Sequence, residues 1–187
     1  MTRISTVDSP DHPVANVLDH VDAVLSHRPD ALAAMKGLAE KILTTGTLPG
    51  RLMELVRLRI GFHNQCRTCM AVRYQPEDVV TEDLVCSLER PEEADDLTDQ
   101  ERAALRFADL LAVNHFGIDD RAYDELRRYF SDGEIVELGM YCAYCVGFGR
   151  FFATLKVTEM LVDTFRVPGD GERVTPWGHD RVERPLG

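Results

Sequence analysis

The sequence predicts an all-α fold. Three observations carry that prediction: apolar residues recur at helical spacing along most of the chain, residues able to cap helix starts precede several of these runs, and no stretch alternates with period two between hairpin turns. Each helical stripe has one face to bury, so the core must come from helix packed on helix.

Val14, Val17, Leu18, Val21, Val24 and Leu25 form the first stripe. Pro29 stands where the first turn of a second helix begins, ahead of Leu32, Met35, Leu38 and Ile42, because its fixed φ suits that turn and its missing N–H costs nothing there. Thr44-Thr45-Gly46 closes this helix, and Pro49 opens a third carrying Leu52, Leu55, Val56, Leu58 and Arg59. After a polar stretch from Gln75 to Thr81, Leu84, Val85 and Leu88 mark a short helix. The acidic segment Glu89 to Asp96 reads as an exposed connection and the best candidate for a boundary. Thr98 with Glu101 makes a capping box ahead of Ala104, Leu105, Phe107, Ala108 and Leu111, and Ser131 with Glu134 repeats the device before Ile135 to Leu155. Asp119 to Phe130 between them is a further amphipathic helix. Residues 1–166 are thus expected to form one helical domain. The irregular tail 167–187, with Pro168, Gly169, Gly171, Pro176, Gly178 and Pro185, either lies over a neighbouring subunit or is loosely ordered.

An internal echo pairs Gly50-Arg51-Leu52-Met53-Glu54-Leu55 with Gly133-Glu134-Ile135-Val136-Glu137-Leu138, hinting at a duplicated helical unit. Continuing the register sets Gly149 and Phe152 against Cys66 and Cys69, so only the first copy keeps thiols.

The 187 residues, 44% of them hydrophobic, suffice for one domain with a real core. Twenty-one basic against 32 acidic side chains leave a net charge of −11, which repels phosphate backbones and anionic bilayers. Nucleic acid and membrane are therefore not expected as partners. The polar start from Met1 to Asp11 lacks an apolar leader core, and no apolar run approaches the ~18 residues of a membrane span, so a cytoplasmic location is expected.

Five cysteines is an odd number for a chain too large to need disulfide staples, and four fall in two Cys-x-x-Cys pairs. Cysteines three apart on a helix share a face, close enough for a disulfide to form and break with little backbone change. Cys66 and Cys69 have Arg67 and Arg73 beside them to favour a thiolate, so redox chemistry is preferred to inert or metal-binding use. Cys142 and Cys145 lie among Met140, Tyr141, Ala143, Tyr144, Val146 and Phe148, where small buried hydrophobes are expected. Cys86 also reads as buried. A four-thiolate zinc site is disfavoured because the pairs lack glycine-rich knuckles, so neither metal nor cofactor is expected.

The spacing of Glu54, eleven residues, Cys66, two residues and Cys69 resembles the active-site signature of alkylhydroperoxidase D and the wider carboxymuconolactone decarboxylase-like family. Leu48-Pro49, Glu54 to Arg59, Asn64-Gln65-Cys66, Leu97-Thr98 with Glu101 to Ala108, and Phe130-Ser131-Asp132 with Glu134 to Leu138 follow that family in order, covering about Leu32 to Val157. The resemblance implies an all-α homo-oligomer (trimer, hexamer or dimer) that reduces a hydroperoxide or other small molecule and is restored by a dithiol reductant. It also implies that Cys69 becomes the sulfenic acid, that Cys66 supplies a proton and closes the disulfide, and that Glu54 is the base of a proton relay. Arg73 stands where the peroxidase signature has histidine, and Thr68 replaces another found in some members. Arginine stays protonated, so the expectation is that Arg73 activates Cys69 by charge while His63, Tyr74 or water completes the relay. A lactone decarboxylase-type enzyme and a non-catalytic redox sensor are the alternatives.

An unbroken helix would set Glu54 and Cys66 ~18 Å apart along its axis. The functional reading therefore requires the chain to turn between Gly61 and Gln65.

Overall fold

The computed structural model describes residues 2–7 and 13–161. The tail 167–187 lies outside the described residues. Among the described residues eight α-helices run in chain order: α1 (Val17–Leu25), α2 (Pro29–Thr45), α3 (Gly50–Asn64), α4 (Arg67–Ala71), α5 (Glu82–Ser87), α6 (Asp99–Val113), α7 (Asp120–Leu126) and α8 (Asp132–Leu155), with a 3-10 turn at His115–Gly117. No β-strand occurs among the described residues, in agreement with the all-α expectation.

Both expected capping boxes are present. Thr98 and Ser131 each accept from the amide three residues on, and Glu101 and Glu134 each accept from the cap residue's own amide. Asn16 with Asp19 makes a third at the start of α1. Pro29 occupies the first turn of α2. The helix expected over Asp119 to Phe130 stops at Leu126 and continues as turns, which still bury Phe130.

The larger core packs α3 against α6 and α8. Leu55, Val56, Leu58 and Ile60 meet Ala104, Leu105, Ala108, Leu138 and Cys142 there, with Val80, Val85, Leu88 and Leu97 closing one side. Residues on both sides of the acidic segment 89–96 share this core, so that segment is a connection within one unit. Arg51 pairs with Glu101 and Arg59 with Asp109, both at 2.7 Å, fixing the register of α3 on α6.

A smaller cluster gathers Val17, Val21 and Val24 of α1 with Met70, Ala71 and Val72 and with Leu155, Val157 and Leu161. Helix α8 is long and apolar enough by composition to cross a membrane, contrary to the sequence expectation that no run approaches that length. It nevertheless buries Ile135, Leu138, Tyr141, Cys142, Gly149 and Leu155 against the other helices. Exposed Val136, Met140 and Phe151 on α8, and Leu38 and Leu43 on α2, leave apolar surface uncovered.

The echoed segments occupy equivalent helix starts, since Gly50 and Gly133 both lie in the first turns of α3 and α8. The copies diverge afterwards. Helix α3 breaks before its cysteines, whereas α8 runs straight through the corresponding positions.

Candidate active site

The required turn is present. Helix α3 ends at Asn64, and Gln65 takes the left-handed conformation at φ 50°. The Cys66 amide donates to Gly61 O at 3.1 Å and the Gln65 amide to Phe62 O at 3.0 Å, the paired bonds of a Schellman ending. Helix α4 then folds back along α3, with Cys66 as its cap residue and the Cys66 sulfur accepting from the Cys69 amide at 3.3 Å. Cys66 and Cys69 are joined in a disulfide, Cα atoms 5.2 Å apart. A Cβ on Gly61 would stand 3.3 Å from Cys69 Cβ, so the absent side chain is what lets the thiol turn lie against α3.

Beneath this turn lies a buried ion pair. Arg57 Nε donates to Glu54 Oε2 at 2.9 Å and Nη2 to Oε1 at 2.8 Å, a two-pronged contact between residues one helical turn apart. The same guanidinium donates to Cys69 O and to Val72 O, each at 2.7 Å, and stacks 4.7 Å from the Tyr74 ring centroid. The Tyr74 amide completes the set by donating to Glu54 Oε1 at 2.9 Å. Burial alone would raise the Glu54 pKa, but the Arg57 charge, its hydrogen bonds and the Tyr74 amide bring it below the ordinary carboxylate value. Burial opposes the Arg57 charge too, and Glu54 outweighs it, so the guanidinium stays protonated. The pair locks the segment from Cys69 to Tyr74 onto α3.

Above it opens a cavity of about 160 Å³, the volume of one small ring. Cys69, Arg57, Tyr74, Tyr141, Tyr144 and Cys145 line it, with Leu18 and Val21 of α1, Leu43 of α2 and Phe148 and Phe152 of α8 forming apolar walls. Burial keeps the Tyr74 and Tyr141 hydroxyls protonated beyond the usual range and pushes Tyr144 up to about 12. It also pushes the Cys145 thiol up to about 12, although Arg57 and a hydrogen bond from Tyr141 pull the other way. Among the described residues Arg57 is thus the one charged side chain on the lining.

Asn64 holds the opposite wall. Its Nδ2 donates to Cys145 O at 2.9 Å and its Oδ1 accepts from Arg150 Nε at 3.1 Å. A Cβ on Gly149 would come within 2.6 Å of Asn64 Nδ2 and 3.9 Å of Cys69 Sγ, so a glycine there brings α8 close to the thiol.

Of the expected site residues, Cys66 and Cys69 are bonded to each other and Cys69 faces the cavity. Glu54 is brought back to the thiol segment, but it lines a separate hollow with Gly50, Gln75 and Glu137 on the far side of Tyr74 and Tyr141. Arg73 departs from expectation. Its guanidinium, 1% exposed, is engaged by Glu82 at 3.0 and 2.9 Å and by the carbonyls of Met70 and Val72, and it does not line the cavity. His63 Nε2 lies 2.6 Å from Asp109 Oδ1, on the α6 side of α3, and is likewise off the lining. Glu137 accepts from the Thr47 and Leu48 amides ahead of α3, a structural role.

Cys142 is fully buried as expected, whereas Cys145 is a half-buried cavity residue and Cys86 is half-buried. Among the described residues no group of three or more His, Cys, Asp or Glu side chains is placed to hold a metal ion. Arg57, Tyr141, Tyr144 and Cys145 were given no role from sequence. The i,i+3 spacing of Arg57 from Glu54, and the helical spacing of 141, 145, 148 and 152, were the available signals.

Residues 29–110 match the model of the carboxymuconolactone decarboxylase family. No curated protein sequence matches the chain significantly. Among solved structures, an Agrobacterium tumefaciens protein of unknown function, described as a putative antioxidant defence protein AhpD, is 28% identical, with a TM-score of 0.64 over 70% of this chain and 91% of that one. An uncharacterized peroxidase-related protein from Ralstonia eutropha JMP134, described as an alkylhydroperoxidase AhpD core, is 20% identical, with a TM-score of 0.63 over 90% and 98%. The debrominase Bmp8 is 21% identical, with a TM-score of 0.66 over 83% and 90%. At such identities the last two speak for the fold alone. With the family model covering the segment from α2 through the thiol turn into α6, and the same helical fold in a protein described as AhpD, the chain is similar to the alkylhydroperoxidase D-like, carboxymuconolactone decarboxylase-like family in that segment and in its all-α fold.

Proposed function

We propose that the chain is a thiol-disulfide oxidoreductase that reduces a hydroperoxide with Cys69 and Cys66. The observation that carries this reading is the bonded pair set in the wall of an apolar cavity, Cys69 facing inward and Cys66 behind it. In the reduced protein the Cys69 thiolate attacks the terminal oxygen of ROOH, forming the S–O bond as O–O breaks. The Cys66 thiol gives its proton to the departing RO⁻, leaving ROH and a Cys66 thiolate. That thiolate attacks the Cys69 sulfenic acid, closing the disulfide and releasing hydroxide. A dithiol reductant returns two electrons and two protons by exchange. Glu54 serves this scheme by holding Arg57 rather than as a relay base, since its lowered pKa makes it a weak proton acceptor and its carboxylate already accepts three hydrogen bonds.

A homo-oligomer belongs to the same proposal, supported by the uncovered apolar residues of α2 and α8. A cytoplasmic setting, where thiols are kept reduced, suits the dithiol step. Steady-state hydroperoxide reduction with a dithiol donor tests the reading. Wild type is expected to turn over and Cys69→Ser to be inactive, and equal rates remove the assignment. Peroxide-driven closure of the disulfide without turnover by any dithiol donor would favour the redox sensor instead.

A further inference from the structure

The guanidinium on the cavity lining has hydrogen-bonding capacity left over. Arginine carries five N–H donors in a planar fork. Four of those on Arg57 have acceptors: Nε and one Nη2 hydrogen on Glu54, the other Nη2 hydrogen on Val72 O, and one Nη1 hydrogen on Cys69 O. The second Nη1 hydrogen has no acceptor among the described residues, although Arg57 is only 8% exposed and borders the cavity. A buried donor without an acceptor is costly, and this one sits on the nitrogen that already bonds Cys69 O, with Arg57 and Cys69 lining the same cavity, so a ligand there can meet it. Its orientation is fixed from four sides, so it needs no rearrangement when charge develops in front of it.

We propose that this fifth N–H of Arg57 is the leaving-oxygen site of the cavity, holding the carbon-bound oxygen of a small apolar hydroperoxide and stabilising the alkoxide that forms as Cys69 attacks. The proposal rests on the oxidoreductase reading above. Bond changes are those already given: S–O forms, O–O breaks, the electron pair goes to the carbon-bound oxygen, and Cys66 delivers the proton. Arg57 gives up no proton at any stage. Glu54 cancels the guanidinium charge at rest, so the site receives a neutral ROOH without importing an ion and tightens only as RO⁻ appears. The ligand class follows from the lining. One donor beside Cys69, three tyrosine rings and walls of leucine, valine and phenylalanine in about 160 Å³ suit a branched-alkyl or single-ring hydroperoxide.

The test compares oxidants whose leaving groups differ in basicity. Reduced wild type, Arg57→Lys and the charge-neutral double variant Glu54→Gln/Arg57→Met are mixed with tert-butyl hydroperoxide, cumene hydroperoxide or peracetic acid, and single-turnover disulfide formation is followed. Arg57→Lys keeps the charge but loses the fork. The double variant removes both members of the buried pair, the form of replacement that a fold tolerates best. Acetate is a weak base and needs little help to leave, whereas an alkoxide needs much. Losing one oriented donor should therefore slow the alkyl hydroperoxides about 10²-fold and peracetic acid by less than ~3-fold. Iodoacetamide alkylation of Cys69, which has no oxygen leaving group, should keep its rate. Equal slowing with all three oxidants and iodoacetamide would overturn the proposal, because it would place the effect on the sulfur or the fold. Unchanged rates in both variants would overturn it as well. Wild type inert to every oxidant would instead bring down the oxidoreductase reading, and this inference with it.

Discussion

Glu54→Gln is the sharpest probe of how the site is held. Glu54 is 3% exposed and Arg57 8%, so neither charge is solvated in place of its partner. The carboxylate accepts three hydrogen bonds, at 2.9, 2.8 and 2.9 Å, two of them from the guanidinium. A glutamine can satisfy one prong of the guanidinium, but its amide would turn donors toward the other, leaving a buried positive charge with no counter-ion. Breaking a buried pair in this way costs about 3–5 kcal/mol. For a chain of this size each kcal/mol lowers the melting temperature by roughly 2–4 °C, so a fall of about 6–20 °C is expected. Urea unfolding of the oxidised protein, followed by circular dichroism, should show a lower midpoint with an unchanged slope. Glu54→Gln/Arg57→Met, which leaves no orphan charge, should be more stable than Glu54→Gln alone. A single variant within about 1 kcal/mol of wild type, a typical surface-substitution cost, would refute the reasoning. So would a double variant as unstable as the sum of its singles.

The remaining predictions concern acid, thiol reactivity and close packing. Glu54, Glu101 and Asp109 are all buried against the charged form yet held below their usual pKa values by Arg57, by Arg51 with Thr98, and by His63 with Arg59. An unfolded chain therefore takes up protons first as pH falls, and stability supplied by these groups is complete above about pH 5 and drains through pH 4 and below. The urea midpoint should drop over that window and drop less in Glu54→Gln, and a midpoint flat from pH 7 to 3 would contradict this. Because burial pushes Cys145 up to about 12, iodoacetamide at pH 8 should label reduced Cys69 well before Cys145, as peptide mass spectrometry can read; the reverse order would show that the thiol is not held protonated. Gly149→Ala would drive a methyl to 2.6 Å from Asn64 Nδ2, displacing the tie to Cys145 O, and should cost about 1–3 kcal/mol; an unchanged urea midpoint would show that the approach of α8 to the thiol turn is loose.

Local signals in the sequence were sufficient for the scaffold. Thr98-x-x-Glu101 and Ser131-x-x-Glu134 are self-contained devices whose partners lie within one turn, and both form as read. The break near Gln65 was also legible, because only a reversal could bring Glu54 within reach of the cysteines. Long-range pairings were not. Arg73 sits four residues beyond Cys69 and looks like its electrostatic partner, but the chain direction after α4 turns its guanidinium toward Glu82. Arg57 precedes Cys69 by twelve residues, and only the fold-back of α4 brings the Cys69 carbonyl to it. The second cysteine pair splits for a similar reason: α8 rotates Cys142 into the α3 interface and Cys145 onto the cavity, a distinction that depends on which helices flank it.

The ties that bring the thiol turn to α3 run largely through main-chain atoms: Gly61 O, Phe62 O, Cys69 O, Val72 O and the Tyr74 amide. The side chains that shape the hollow, Leu18, Leu43, Tyr144, Phe148 and Phe152, take no part in those ties. Mounting and mould are therefore separate pieces. Exchanging the mould residues can retune which molecule is admitted while the reactive sulfur stays at its station, a division that lets one helical frame be refitted for different guests.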